Sequence, residues 1–193
     1  MARHGQSAWQ VHGERAGADA PLTALGELQA HRLGAYLAQE TDVEALVSSN
    51  LQRALTTAEI VATYLDLPVK VDEDLREFDD WDAGWAPDPV SMWDASPADE
   101  TLMPGYRRFT DRVTAALQRV VEDAPSRGSL LIIAHGGTIG TIWRVLLGSH
   151  TPRLWAWNAA LHAAEWGRSD WGTNWVFHYF NLMEYLPPFM RTS

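Results

Sequence analysis

The run Leu130-Leu131-Ile132-Ile133-Ala134 passes directly into His135-Gly136-Gly137-Thr138, after which Ile139, Ile142, Trp143 and Leu146 recur at helical spacing. An unbroken aliphatic run of this kind predicts the strongest strand of the chain, and the residues after it predict a helix that begins at once. The same alternation occurs upstream. Thr23 offers an N-cap for a helix to about Glu40, with Leu25, Leu28, Leu33, Tyr36 and Leu37 as its stripe. Val43–Val47 reads as a short strand. Ser48-Ser49-Asn50 offers side-chain oxygens to cap the next helix, whose stripe is Leu51, Ala54, Leu55, Ala58, Val61, Ala62 and Leu65, with Arg53 off it in the first turn. Val69–Val71 reads as a strand, and Tyr106, Phe109, Val113, Ala116, Leu117 and Val120 mark one more helical face. Leu161–Trp166 and Trp175–Phe180 read as strands joined by a turn at Ser169–Thr173. Strands alternating with amphipathic helices predict an α/β fold, a three-layer α/β/α sandwich around a mostly parallel central sheet.

A chain of 193 residues with 46% hydrophobic content can bury one sizeable core, so residues 1–193 are expected to form a single domain. Gln10–Ala20, with Gly13, Gly17 and Asp19, reads as a loop. The stretch 78–104 mixes Pro87, Pro89, Pro97 and Pro104 with acids and tryptophans, and is expected as an irregular insertion over one face. A net charge of -10 argues against broad electrostatic binding to nucleic acid or to an anionic membrane. The chain has no cysteine, which removes disulfides, thiol nucleophiles and cysteine-ligated metals. Lys70 is the only lysine, so the glycine-rich loop with its lysine that marks phosphate-binding NTPases is missing, and a phosphate would be held by Arg, His or backbone. No apolar run reaches the ~18 residues of a membrane span and the first residues lack a signal-peptide stretch, so a soluble, cytoplasmic protein is the expectation.

In open α/β sheets ligands bind beyond the carboxyl ends of the strands, where helix N-termini also point. Arg3-His4 closes the first strand, for which Met1 and Ala2 leave little room; Ser48–Arg53 follows the second; His135-Gly136 follows the strongest. Two guanidinium groups, two imidazoles and a glycine-rich helix start are thereby expected on one edge. Each alone has an ordinary structural reading: a hydrogen-bonded histidine, a solvated arginine, a tight turn. Their common position after strands points to an anion site with a nucleophile.

These residues resemble the histidine phosphatase, or phosphoglycerate mutase-like, superfamily. The resemblance rests on Arg3-His4-Gly5-x-Ser7, on Asp19, Pro21-Leu22-Thr23 and Gly26, and on Ser48 through Arg53-Ala54 to Thr57-Ala58. It continues through Leu75-Arg76-Glu77 and Ala134-His135-Gly136-Gly137-Thr138. It implies a phosphatase working through a phosphohistidine, with no metal and no cofactor. By that resemblance His4 is the nucleophile and Glu77 the proton donor, with Asp79 or Asp80 as alternative acids. Arg3, Arg53 and His135 surround the phosphoryl oxygens, and the Gly136 amide adds a donor. Gln10 stands where the family often has Asn, and it is expected with Thr23 and Asn158 among the substrate-binding residues.

Phosphoglycerate mutases carry a longer basic insertion, whereas 78–104 here is acidic and rich in tryptophan. The expected substrate is therefore a small-molecule phosphomonoester of apolar, neutral or cationic character, stacked on Trp81, Trp85 or Trp93, unless these tryptophans only anchor the loop. Three other readings stand beside it: a phosphoglycerate mutase-type phosphotransferase, a phosphate-binding protein without turnover, and a metal site between His4, His135 and Asp79-Asp80-Asp82. The five tryptophans beyond Leu154 suit either a homodimer surface or ordinary core.

Overall fold

The computed structural model describes residues 1–79, 101–169 and 172–193. Along the chain these form β1 (Ala2–Arg3), α1 (Ala8–His12), α2 (Ala24–Glu40), β2 (Val43–Ser48), α3 (Gln52–Leu65) and β3 (Val69–Val71). After residue 100 come α4 (Pro104–Glu122), β4 (Ser129–Ala134), α5 (Gly136–Leu147), β5 (Leu161–Ser169) and β6 (Gly172–Leu182). The six strands make one sheet in the order β3-β2-β4-β1-β5-β6. The first four of that order run parallel, β5 is antiparallel to β1, and β6 is antiparallel to β5. Among the described residues no helix is long and apolar enough to cross a membrane.

Period-two alternation divides the core into two layers. On β4, Leu131 and Ile133 pack with Leu33, Leu37, Ala54, Ala58 and Val61 of α2 and α3. Ile132 and Ala134 point the other way, into Tyr106, Phe109, Val113, Ile139 and Ile142 of α4 and α5. A strand covered on both faces has no place for polar alternation, which explains its continuous aliphatic sequence. Truncation of a fully buried residue such as Leu33 to Ala falls in the class that costs about 2–5 kcal/mol.

Thr23 caps α2 as expected, its Oγ1 accepting the Gly26 N–H at 3.0 Å. Three local expectations change. The stretch Gln10–Ala20 is not all loop, because α1 and a 3₁₀ turn (Gly13–Ala16) occupy most of it. A capping box starts α1, with Gln10 Oε1 accepting the Ser7 N–H at 3.0 Å; a five-residue helix carries no apolar stripe for periodicity to detect. The start of α3 is served from outside the Ser48-Asn50 run: Asp19 Oδ1 accepts the Gln52 N–H at 2.6 Å, while Ser49 Oγ accepts that of Leu51 at 3.3 Å. Arg53 lies on the buried side of α3, at 8% exposure, because the Ala18–Asp19 loop covers it and accepts its Nη1 at the Ala18 carbonyl, 3.0 Å away.

The first strand needs only two residues, since it is paired on both sides. Ala2 faces Ile133 of β4 and Leu161 of β5, and the Met1 carbonyl accepts the His162 N–H at 2.8 Å. At the borders of the 78–104 stretch, Phe78 and Leu102 are core residues, with the Phe78 ring stacked on Phe109 at 5.0 Å. Asp80, Trp81, Asp82, Trp85 and Trp93 lie outside the described residues.

Candidate active site

Strands β1, β4 and β2 end level with one another, Arg3 beside Ala134 and Ser48 beside Ile133. His4, His135 and Ser49 therefore leave the sheet side by side, at the carboxyl edge where ligands bind in this fold class. The backbone of His4 is held on both sides: its N–H donates to the Ala134 carbonyl at 3.0 Å, and its carbonyl accepts from Ala159 N–H and Asn158 Nδ2, each at 3.2 Å. Gly5 follows because there is no room for a side chain, as a Cβ there would run into the Gly26 carbonyl of α2. The Gly5 N–H donates to Thr57 Oγ1 at 3.1 Å, and Thr57 in turn donates to the Arg53 carbonyl at 2.7 Å. One hydroxyl thus ties the turn after β1 to the helix that carries Arg53.

The His4 ring is 3% exposed, with Nδ1 2.6 Å from the Gly5 carbonyl oxygen. A carbonyl only accepts, so Nδ1 carries the proton and Nε2 keeps a lone pair. Burial, and then the charges of Arg3 and Arg53, hold the His4 pKa well below its ordinary value. The His135 ring is tilted against it at 5.1 Å, also buried and also held well below the ordinary range, first by burial and then by His4 and the arginines. His135 Nε2 lies 2.8 Å from Ser49 Oγ. Its Nδ1 and the Arg3 Nε are buried without a partner among the described residues.

Arg3 is anchored by Nη1 on the Ala156 carbonyl at 2.6 Å, and its guanidinium lies against Gly136, 3.7 Å from where a Cβ would stand. Burial draws its pKa down to about 10, which leaves it charged at neutral pH. Glu77 sits at the start of α5, Oε2 accepting the Gly137 N–H at 3.0 Å and Oε1 the Phe78 N–H at 2.9 Å. Burial raises its pKa above the ordinary carboxylate value, against the pull of those two amides and of Arg3 and Arg53. The loop that carries Glu77 is fixed from α4: Arg112 donates to the carbonyls of Asp74 (2.7 Å), Arg76 (3.2 Å) and Glu77 (3.3 Å).

A cavity of about 730 Å³ opens at this edge, lined by Arg3, His4, Ser7, Trp9, Gln10, Arg53, Glu77, Gly136, Gly137, Arg144, Arg153, Leu154, Trp155, Ala156 and Ser193. Of the residues expected from sequence, Arg3, His4, Gln10, Arg53, Glu77 and Gly136 line it together, and His135 lies directly behind His4. Gln10 donates both Nε2 hydrogens within the protein, to Asn158 Oδ1 and to the Ser193 carbonyl, each at 2.8 Å. Asn158 is fully buried and acts on the His4 backbone from outside the lining. Thr23 is likewise outside the lining, its Oγ1 donating to Gln6 Oε1 at 2.9 Å. Trp81 and Trp85 lie outside the described residues.

Several lining or supporting residues were not singled out from sequence. Arg144 had a visible signal as the one charged residue in the otherwise apolar α5, and Trp155 was noted only as one of the C-terminal tryptophans, some of which could pack and some line a pocket. Trp9 and Arg112 had none, since one sits on a helix too short to show a period and the other beside an ordinary apolar stripe. The set as assembled offers a neutral imidazole nitrogen with a lone pair, two guanidinium groups, a carboxyl of raised pKa and a helix N-terminus, all within one cavity.

The model of the histidine phosphatase superfamily (branch 1) matches residues 1–178. The uncharacterized phosphatase PhoE of Bacillus subtilis is 32% identical, with 89% of each chain covered. The probable phosphoglycerate mutase GpmB of Salmonella paratyphi A is 29% identical over 91% of this chain and 88% of its own. Among solved structures, a mycobacterial glucosyl-3-phosphoglycerate phosphatase complexed with VO3 superposes with a TM-score of 0.67 at 27% identity, covering 95% of this chain and 98% of that one.

Proposed function

We infer that this chain, which belongs to the histidine phosphatase superfamily (branch 1), hydrolyses small-molecule phosphomonoesters through a phosphohistidine intermediate. The observation that carries the reading is the state of His4. Its Nδ1–H is committed to the Gly5 carbonyl and its charged form is disfavoured, so Nε2 keeps a lone pair at neutral pH in a cavity shared with two guanidinium groups. In the first step Nε2 forms a bond to phosphorus as the bond to the ester oxygen breaks, and the Glu77 carboxyl gives its proton to the departing alcohol. The raised pKa of Glu77 supports this role, because it keeps more of the group protonated toward neutral pH. In the second step water attacks the phosphoimidazole, Glu77 takes up a proton from it, and inorganic phosphate leaves as Nε2 recovers its lone pair.

Arg3 and Arg53 would bind the phosphoryl oxygens as two-pronged donors, and Arg3 Nε and His135 Nδ1 are buried polar atoms that such oxygens would satisfy. Gln10 and Asn158 enter the proposal as positioning groups for the cavity wall and the His4 backbone, and Thr23 as the residue that sets the Gln6 side chain. Relatives named for phosphatase and for mutase activity match at comparable identity, so the experiment separates the two. Hydrolysis of 4-nitrophenyl phosphate by the wild type and by His4→Ala, with trapping of phosphoenzyme, is expected to show turnover and a phosphohistidine in the wild type alone. Equal rates in both would overturn the nucleophile. Interconversion of 2- and 3-phosphoglycerate faster than hydrolysis would transfer the reading to a mutase.

A further inference from the structure

We propose, resting on the phosphomonoesterase reading, that Trp9 and Trp155 form the leaving-group subsite and select phosphomonoesters of flat, ring-bearing alcohols. The cavity is far larger than a phosphoryl group needs, and its 730 Å³ falls in the range of about 300–1,000 Å³ that receives a whole small ligand. Both indoles line the same cavity as His4, yet Trp9 is 43% and Trp155 67% exposed. Tryptophan is highly buried on average, and here two of them turn large apolar faces into one opening.

Neither indole hangs on a loose loop. Asn181 Nδ2 donates to the Trp155 carbonyl at 2.7 Å and Asn181 Oδ1 accepts the Trp157 N–H at 2.9 Å, while Arg3 Nη1 donates to the intervening Ala156 carbonyl at 2.6 Å. Asn181 does this from a left-handed backbone conformation, φ 59°, which asparagine tolerates better than most residues. Trp9 stands on α1, fixed by the Ser7–Gln10 capping box and by the Ala8 N–H donating to the Pro21 carbonyl at 2.8 Å. An aromatic side chain carried on a fixed main chain loses less conformational freedom on binding a ligand than one carried on a mobile loop. Arg3 also sets the spacing, because the guanidinium beside Gly136 is the one that holds the carbonyl next to Trp155. A planar ring carried on the ester oxygen gains stacking against these faces; an open-chain polyol gains little.

The test measures kcat/KM for 1-naphthyl phosphate and for glycerol 1-phosphate in the wild type, Trp155→Ala and Trp9→Ala. The ratio of the two values is expected to fall about threefold to tenfold in each variant. A ratio equal to the wild type's in both variants overturns the subsite, because a merely structural role lowers both substrates together. A second measurement needs no turnover: the wild type and Trp155→Ala are titrated with 1-naphthylmethylphosphonate and with methylphosphonate. The naphthyl compound is expected to bind about threefold to tenfold more tightly in the wild type and to lose that advantage in the variant. Equal affinities in the wild type, or an advantage kept in the variant, overturn the subsite. Esters left intact by the wild type together with the expected phosphonate difference would instead defeat the phosphomonoesterase reading and leave the subsite standing.

Discussion

At the floor of the cavity the side chains are buried and oriented by neighbouring backbone, the Gly5 carbonyl accepting from His4 Nδ1 and the Gly137 amide donating to Glu77 Oε2. At the rim, Trp9 and Trp155 are exposed, and it is their main chain that is held, by the α1 capping box and by Asn181 and Arg3. The two regions solve different problems. Under the proposed function, a floor that handles a dianionic phosphoryl group needs charges and lone pairs fixed within tenths of an ångström, and it pays for their burial in depressed histidine and raised carboxyl pKa values. A rim that meets the variable part of a substrate needs only surface of the right shape at the right distance. Arg3 belongs to both, its guanidinium beside Gly136 at the floor and its Nη1 on the Ala156 carbonyl at the rim.

The floor depends most completely on His4. His4→Ala is expected to abolish the trapped phosphoenzyme and to lower kcat by more than any other single floor substitution; a phosphoenzyme in that variant would place the nucleophile elsewhere. Glu77→Gln comes next, with a loss of about 10²–10⁴-fold on an alkyl phosphate. The loss is expected to shrink on 4-nitrophenyl phosphate, whose leaving group needs no proton, and a loss independent of the leaving group would deny Glu77 the acid role.

Gly26→Ala tests the floor through its support. In an ordinary helix this change is stabilising by up to about 1 kcal/mol, but here the new Cβ would meet the Gln6 carbonyl. Overpacking of about 1–3 kcal/mol is expected to lower Tm and to reduce activity on every substrate alike, whereas a raised Tm would show that the turn after β1 yields freely. Smallest is the effect of pH on stability. His4 and His135 have folded pKa values below their unfolded ones, so between those values the unfolded chain binds protons that the folded chain does not. Their contribution is present above the ordinary histidine pKa and is lost as pH falls below it. Glu77, with its raised pKa, runs the other way, losing stability as pH rises through its folded value. His162, its pKa drawn down to about 3 by burial, acts in the same direction as His4 and His135. Three buried imidazoles against one carboxyl predict that Tm falls on going from pH 7.5 to 5.5; a constant or rising Tm would mean that the rings are accessible to protons in the folded chain. The rim is expected to be insensitive to this pH change, having no titrating group among its two indoles.

Part of the floor was legible because its residues follow strands directly, while Glu77, which follows none, was expected only from the family resemblance. Arg3-His4, Ser48 and His135-Gly136 could be assigned to one edge once β1, β2 and β4 were recognised as parallel, and the observed register bears out that they end level. The burial of Arg53 was not legible, because it depends on the Ala18–Asp19 loop folding over α3 from more than thirty residues away. The helix α1 escaped because a single turn and a half leaves no periodic stripe, and Trp9 escaped with it.

By itself, then, the order of residues determined the three-layer architecture, the apolar stripes that cover both faces of the sheet, and which short runs would stand at its carboxyl edge. These follow from spacing along the chain, where neighbours in sequence are neighbours in space. Only the tertiary structure decided which nitrogen of His4 bears the proton, that burial raises the Glu77 pKa, that Arg112 holds the loop on which Glu77 sits, and that Trp9 and Trp155 share one opening. Those properties arise from contacts between residues far apart in the chain, and from the loss of water around them, which no local pattern records.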